Sequence, residues 1–437
     1  MKRFTVMALV SLLSLPTVGC SRSGGELSAD GKPILTVWHP WGGTRAPAIR
    51  RVLEIYQREH PNIVLKALFT QTDLSSNQKF FTSIAAGKPP DVCFVDGPQV
   101  AEFAERGALR PLDAEIAKAG IRPEDYFAPC WAQTRYRGKS WAMTFGADPN
   151  FAFVWNKDDF KKVNLDPEKP PKTLAEMDAM AAKLTLVENG NIVRIGIIPW
   201  EQYTRVNSLF TWGWAFGGSF YDEKAHKITA NDPKIVKALE WMVGYAHRYD
   251  VTKMDSLRQG FGTAQMDPFY IGHLSMKCLV LSGIDDIKQY APGLRYGITF
   301  IPAVPDGEPH SSWIGGWCMA LPNGCKHPKE GWEFMRWMTG DKHGTDVVGR
   351  EMGLMPGYRN SPAFQSLRTY PGFETYYRIL LETRHQRPVM PVQAYYMGAL
   401  QRAVDAAIFG KKTARQALDD ATAETQAELD VVLKSAG

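Results

Sequence analysis

Residues 91–98 read Asp91-Val92-Cys93-Phe94-Val95-Asp96-Gly97-Pro98. An unbroken apolar run, stopped by an aspartate and a Gly-Pro turn, describes a short strand buried on both faces. Upstream, a second apolar, β-branched run at 34–38 is broken by His39-Pro40-Trp41-Gly42-Gly43. A helical stripe of Ile49, Val52, Leu53 and Tyr56 follows and stops at His60-Pro61-Asn62. Residues 63–69 read as another strand, and Phe80, Phe81, Ile84 and Ala85 mark a helix before residue 91. Strands alternating with helices imply an α/β fold with a parallel sheet and right-handed crossovers. Ligands of such sheets sit beyond the carboxyl ends of the strands. The segments after the first and third strands, carrying Trp38, His39 and Trp41 and then Asp96 and Gly97, therefore share one edge.

Further along, extended runs at 141–145 and 151–155 flank Gly146-Ala147-Asp148-Pro149. Thr173-Leu174-Ala175-Glu176 is a capping box. Asp232 and Pro233 open a helix as N-cap and first residue, with Ile235, Leu239, Met242 and Ala246 as its core face. Residues 274–281 and 296–301 read as strands and 329–338 as a helix. Thr413-Ala414-Arg415-Gln416 is a second capping box, opening a C-terminal helix.

The amino terminus has a basic head, Lys2 and Arg3, an apolar run at 4–15, and the ending Thr17-Val18-Gly19-Cys20. This is a secretory leader, too short to span a bilayer, which takes ~20 apolar residues. The ending resembles a bacterial lipobox, with Thr17 where leucine is commonest. That resemblance implies removal of residues 1–19 and a diacylglycerol on the Cys20 sulfur, tethering a water-borne domain to a membrane surface. Residues 20–33 read as a polar tether. The function expected is one performed in the cell envelope, on the periplasmic or extracellular face.

Roughly 400 residues remain, more than one ordinary core holds, which implies two lobes. The formal charge falls from +5 to +3 when Lys2 and Arg3 leave with the leader. The basic residues are scattered, so nucleic acid is not expected as a partner. Besides Cys20 there are Cys93, Cys130, Cys278, Cys318 and Cys325, none in C-x-x-C spacing. Neither a metal site nor a disulfide framework is indicated; Cys93 and Cys278 read as buried thiols. Of the thirteen tryptophans, several stand among Gly, Pro and polar residues, outside amphipathic stripes.

The motifs, in order, resemble the extracellular solute-binding proteins of ABC importers, the sugar-binding family that includes maltose-binding protein. Residues 91–96 are followed by Gly107-Ala108-Leu109-Arg110-Pro111-Leu112-Asp113. Next come Phe153-Val154-Trp155-Asn156-Lys157-Asp158-Asp159-Phe160 and Pro171-Lys172-Thr173-Leu174-Ala175-Glu176-Met177. Trp214-Ala215-Phe216-Gly217-Gly218, Leu274-Ser275-Met276, Gly315-Gly316-Trp317 and Gly410-Lys411-Lys412-Thr413 complete the series. The resemblance implies a two-lobed periplasmic-binding-protein fold with a ligand cleft between the lobes. It places the first lobe at 34–143 and 308–350, and the second at 148–303 and 351–437. Hinge crossings fall near 144–147 and 304–307, where Gly146 and Gly307 supply permissive backbone. It implies a carbohydrate ligand, ABC importer permease subunits as partners, a monomer and no cofactor. One departure stands out: where the family often carries Gly-Pro-Trp, with a sugar-stacking tryptophan, this chain has Leu281-Ser282-Gly283-Ile284.

Sugar recognition needs flat apolar faces for ring C–H groups and planar polar groups for hydroxyls. Trp38 and Trp41 follow a strand, and Trp200-Glu201 follow another apolar run. Trp212 and Trp214 flank Gly213; Trp313 and Trp317 bracket Ile314-Gly315-Gly316. The expected stacking faces are Trp38, Trp41, Trp200, Trp214, Trp313 and, from the family resemblance, Tyr395. Asp96 and Glu201 are expected to take hydroxyls. A non-sugar ligand such as glycerol phosphate is the alternative, with Arg45, Arg50 and Arg359 near cleft segments. An enzyme, such as a glycoside hydrolase, would need two opposed carboxylates ~5–10 Å apart. The adjacent pairs Asp158-Asp159, Asp285-Asp286 and Asp419-Asp420 read as surface charge. No G-x-S-x-G or H-E-x-x-H occurs. Gly138-Lys139-Ser140 and Gly260-Phe261-Gly262 are incomplete nucleotide motifs, so no catalytic residue is assigned.

Overall fold

A computed structural model describes residues 26–70, 74–201, 203–259 and 266–435. The leader, Cys20 and the motif at 260–262 lie outside the described residues. The first lobe is built on a five-stranded sheet in the order Val64–Phe69, Ile34–His39, Val92–Asp96, Trp317–Ala320, Met143–Thr144. The first three strands are parallel, as their alternation with helices requires. Trp317–Ala320 runs antiparallel to both of its neighbours. Trp38 pairs in register with Cys93, so the strands ending at His39 and Asp96 finish on one edge. The buried Asp91 carboxylate accepts from the Thr36 N–H, Lys326 N–H and His327 N–H, each at 2.9 Å. One side chain thus ties two strands to the start of helix Pro328–Gly340. Helix Ala46–Glu59 lays Ile49, Val52, Leu53 and Tyr56 against this core, the stripe legible in its sequence.

The second lobe centres on Ala152–Asn156, flanked antiparallel by Met276–Leu279 and Tyr296–Thr299. Helices Leu174–Leu184, Arg205–Ala215, Pro233–Tyr249, Gln393–Ile408 and Ala414–Ser435 contribute to its core. Thr173 and Glu176 form the reciprocal capping box, and the Asp232 carboxylate accepts from the Lys234 N–H. Thr413 and Gln416 reproduce the reciprocal bonds at the last helix. Asp159 is not surface charge. The Asn156 side chain caps helix Lys157–Lys162 and sets its first turn. Asp159 there is fully buried, bonded to Ser275 Oγ at 2.9 Å and Arg194 at 3.3 Å.

The chain passes between the two cores side by side with itself. Phe145 belongs to the first core and Ala147 to the second. Their amides donate to Trp317 O (2.9 Å) and Met355 O (2.8 Å). The return crossing lies at Gly315–Gly316, not at 304–307. Trp313–Gly315 pairs with Asp148–Asn150, which holds Trp313 and Ile314 in the second core. Gly307 meanwhile packs on helix Arg205–Ala215, where a Cβ would lie 2.1 Å from Ala215 O. Gly316 has φ +142° and abuts Gly146 O, where a Cβ would come to 2.1 Å, so glycine is required at the crossing.

Candidate functional site

A cavity of about 720 Å³ opens between the lobes at the carboxyl ends of the first-lobe strands. Trp38, Phe94, Asp96 and Gln99 line it from one side. Asp148, Asn150, Asn207, Trp313, Arg387, Gln393 and Gln401 line it from the other. Trp38 is half-buried, held edge-on by Phe80 at 6.3 Å between ring centroids. Trp313 is fixed by its indole N–H, which donates to Thr211 Oγ1 at 2.9 Å, and by the edge of Phe151. The Arg387 guanidinium lies 5.3 Å from the Trp313 ring centroid and donates to Asp96 Oδ1 at 2.7 Å, an ion pair joining the lobes. Glu102 makes a second link, accepting the Ala394 N–H at 3.1 Å at the start of helix Gln393–Ile408. Burial pushes the Glu102 carboxyl above its usual range.

Several buried polar atoms at this cavity have no partner within the described residues. They are Asn150 Oδ1, Asn207 Oδ1, Arg387 Nε and both amide atoms of Gln393. An unpaired buried polar group costs about 1–3 kcal/mol. Such a cluster at one cavity marks where a hydrogen-bonding ligand belongs. Burial, then the like charge of Asp96, push the Asp148 carboxyl up to about 6, while Arg45 and Arg387 oppose the rise. A smaller cavity of about 220 Å³ shares Asp148, Tyr203 and Trp317 with the first and adds Trp41, Arg45, Leu281 and Ser282. The stretch that lacks Gly-Pro-Trp therefore supplies an aliphatic and polar wall there.

Of the residues expected from sequence, Trp38, Asp96 and Trp313 come together in the main cavity. Trp41 lines the smaller one, its ring packed on Phe94 at 4.6 Å and Phe145 at 5.1 Å. The others lie elsewhere. Trp200 is 1% exposed in the second core, its N–H directed at Asp255 Oδ1 and covered by the Arg205–Asp255 ion pair. The neighbouring Glu201 faces Lys277 at 4.0 Å. Trp214 stacks on Phe210 (5.2 Å, 24°) and on His385 (5.1 Å, 12°). It lines a separate hollow of about 470 Å³. Tyr395 is 40% exposed and lines neither cavity. The helix turns Gln393, Met397 and Gln401 to the cavity at i, i+4 and i+8, which carries Tyr395 to another face. Tyr396 points into the core and donates to Phe220 O at 2.7 Å.

Sequence reasoning did not single out Asn150, Asn207, Arg387 and Gln393, nor Asp148 as a site residue. For Gln393 a signal existed, since two glutamines and a methionine at four-residue spacing describe one face. For Asn150 and Asn207 nothing distinguishes a cleft amide from a surface one before the lobes are assembled.

The family model for bacterial extracellular solute-binding protein matches residues 42–345. Among curated relatives, the sn-glycerol-3-phosphate-binding periplasmic protein UgpB of Pectobacterium atrosepticum is 23% identical over 424 residues, covering 91% of each chain. UgpB of Escherichia coli is 22% identical over 305 residues, 67% of each chain. Among solved structures, CpMnBP1 with mannobiose bound has a TM-score of 0.80 at 28% identity, over 90% of this chain and 99% of that one. Maltose-bound T. maritima MalE3 has a TM-score of 0.73 at 18% identity, covering 91% and 100%, a likeness of fold. The matched family model spans parts of both lobes and takes in the cleft residues Asp96, Asp148, Asn150, Asn207 and Trp313, and the chain belongs to the bacterial extracellular solute-binding proteins, the ligand-capturing components of ABC importers.

Proposed function

We propose that this protein captures a neutral saccharide in the cavity between its lobes and presents it to membrane-embedded permease subunits. The observation that carries this reading is the set of unpartnered amide atoms, Asn150 Oδ1, Asn207 Oδ1 and both of Gln393, beside the indoles of Trp38 and Trp313. Planar amides match pairs of ring hydroxyls, and indole faces match ring C–H groups. Ligand contacts to both lobes favour the closed arrangement, which the permease selects over the empty one. The crossings at 145–147, 315–317 and 353–355 act as the hinge. Residues 1–19 are removed, and lipid on Cys20 holds the monomer at the membrane surface. The glycerol-phosphate alternative has less support, because the only cation lining the main cavity among the described residues, Arg387, is already paired with Asp96.

Mass spectrometry of protein extracted from membranes tests both parts. Under native conditions the expected result is a co-purified mass matching a neutral saccharide. Under denaturing conditions it is a chain beginning at Cys20 with added acyl mass. A phosphorylated ligand would overturn the first part, and an unmodified Cys20 the second.

A further inference from the structure

We infer that Asp148 is the residue by which this cleft refuses anionic ligands. Asp148 lies on strand Asp148–Asn150, beside the crossing between the lobes, and lines both cavities. Among the described residues its carboxylate makes no hydrogen bond or ion pair. The titratable groups that face it are Asp96, Arg45, Arg387, Tyr203 and the buried thiol Cys130. Neither guanidinium forms an ion pair with it, and both have other carboxylate partners. Arg387 is paired with Asp96 at 2.7 Å. Arg45 donates to Met352 O and Ser282 O at 2.9 and 3.1 Å and lies 3.5 Å from Asp285. Among the described residues no lysine lines either cavity.

A phosphate or carboxylate entering this space meets a second carboxylate in a partly desolvated setting, while the two lining guanidiniums already face other carboxylates. Like charges repel strongly there. A neutral polyol meets a strong acceptor for its hydroxyl hydrogens. The same side chain thus favours one ligand class and rejects the other, a repulsive element of specificity. Burial and Asp96 raise its pKa, as expected of a carboxylate held without a counter-ion. Asparagine at this position keeps the shape and one acceptor but removes the charge.

The inference draws on the saccharide reading only for its neutral probe, and the anion comparison stands without it. Wild type, Asp148→Asn and Asp148→Ser are titrated at pH 7.5 with sn-glycerol 3-phosphate, inorganic phosphate and mannobiose, and folding is checked by thermal melting. The two substitutions are expected to tighten binding of both anions at least ~10-fold, about 1.4 kcal/mol. Mannobiose affinity is expected to stay level or weaken. Equal anion affinity in all three proteins, including no binding by any, would overturn the role of Asp148. Failure of wild type to bind mannobiose or any neutral saccharide would count against the saccharide reading instead, with the anion comparison still deciding the role of Asp148.

Discussion

Asp148 carries its charge at a cost to the fold. Its folded pKa is about 6, against 3.8 for the free side chain, because burial and then Asp96 disfavour the anion. The folded protein therefore holds a proton there that the unfolded chain releases between about pH 4 and 6. Stability falls as pH rises through that window. Asp148→Asn removes the penalty. The variant is expected to exceed wild type at pH 7.5 by on the order of 1–2 kcal/mol, after discounting for solvent in the cavity, and to match it below pH 4. Denaturant melts across pH check this, and a difference independent of pH would contradict it. The tryptophans show how far single residues can be read. Strand-end and glycine context picked Trp38, Trp313 and Trp200 alike; Trp313 and Trp200 both fold into the second core, and of those two only Trp313 reaches the cavity. Local sequence marks a residue near a strand end. It does not say whether a distant residue, here Asp255, meets that side chain in a core.

The elements themselves were largely legible. Apolar periodicity and capping residues located the strands and the helices Ala46–Glu59, Leu174–Leu184 and Pro233–Tyr249. The position of the return crossing was not. It depends on pairing between Trp313–Gly315 and Asp148–Asn150, partners more than 160 residues apart in sequence, and no local pattern encodes that register. Gly316 is where this pairing meets the first-lobe sheet, at φ +142°. Gly316→Ala must strain the backbone and push its Cβ against Gly146 O. A loss of about 2 kcal/mol or more is expected, read as a lower melting temperature in calorimetry. An unchanged melting temperature would show that the crossing tolerates a side chain.

At the scale of the whole molecule, the cavity exists only because two separately cored lobes face each other. Asp96–Arg387 and Glu102–Ala394 join them across it. This is why the sequence pointed to a cleft and some of its aromatic faces but not to its amides, which converge from 150, 207 and 393 only after assembly. The same geometry provides the most direct test of a saccharide bound between the lobes. Trp38 belongs to the first lobe and Gln393 to the second, so a ligand seated between them touches both. The measurement is calorimetric titration of the saccharide identified by mass spectrometry onto wild type, Trp38→Ala and Gln393→Ala. Each substitution is predicted to cost on the order of 2 kcal/mol, or ~30-fold in affinity. Wild-type affinity in either variant would place the ligand on one lobe alone and contradict the account.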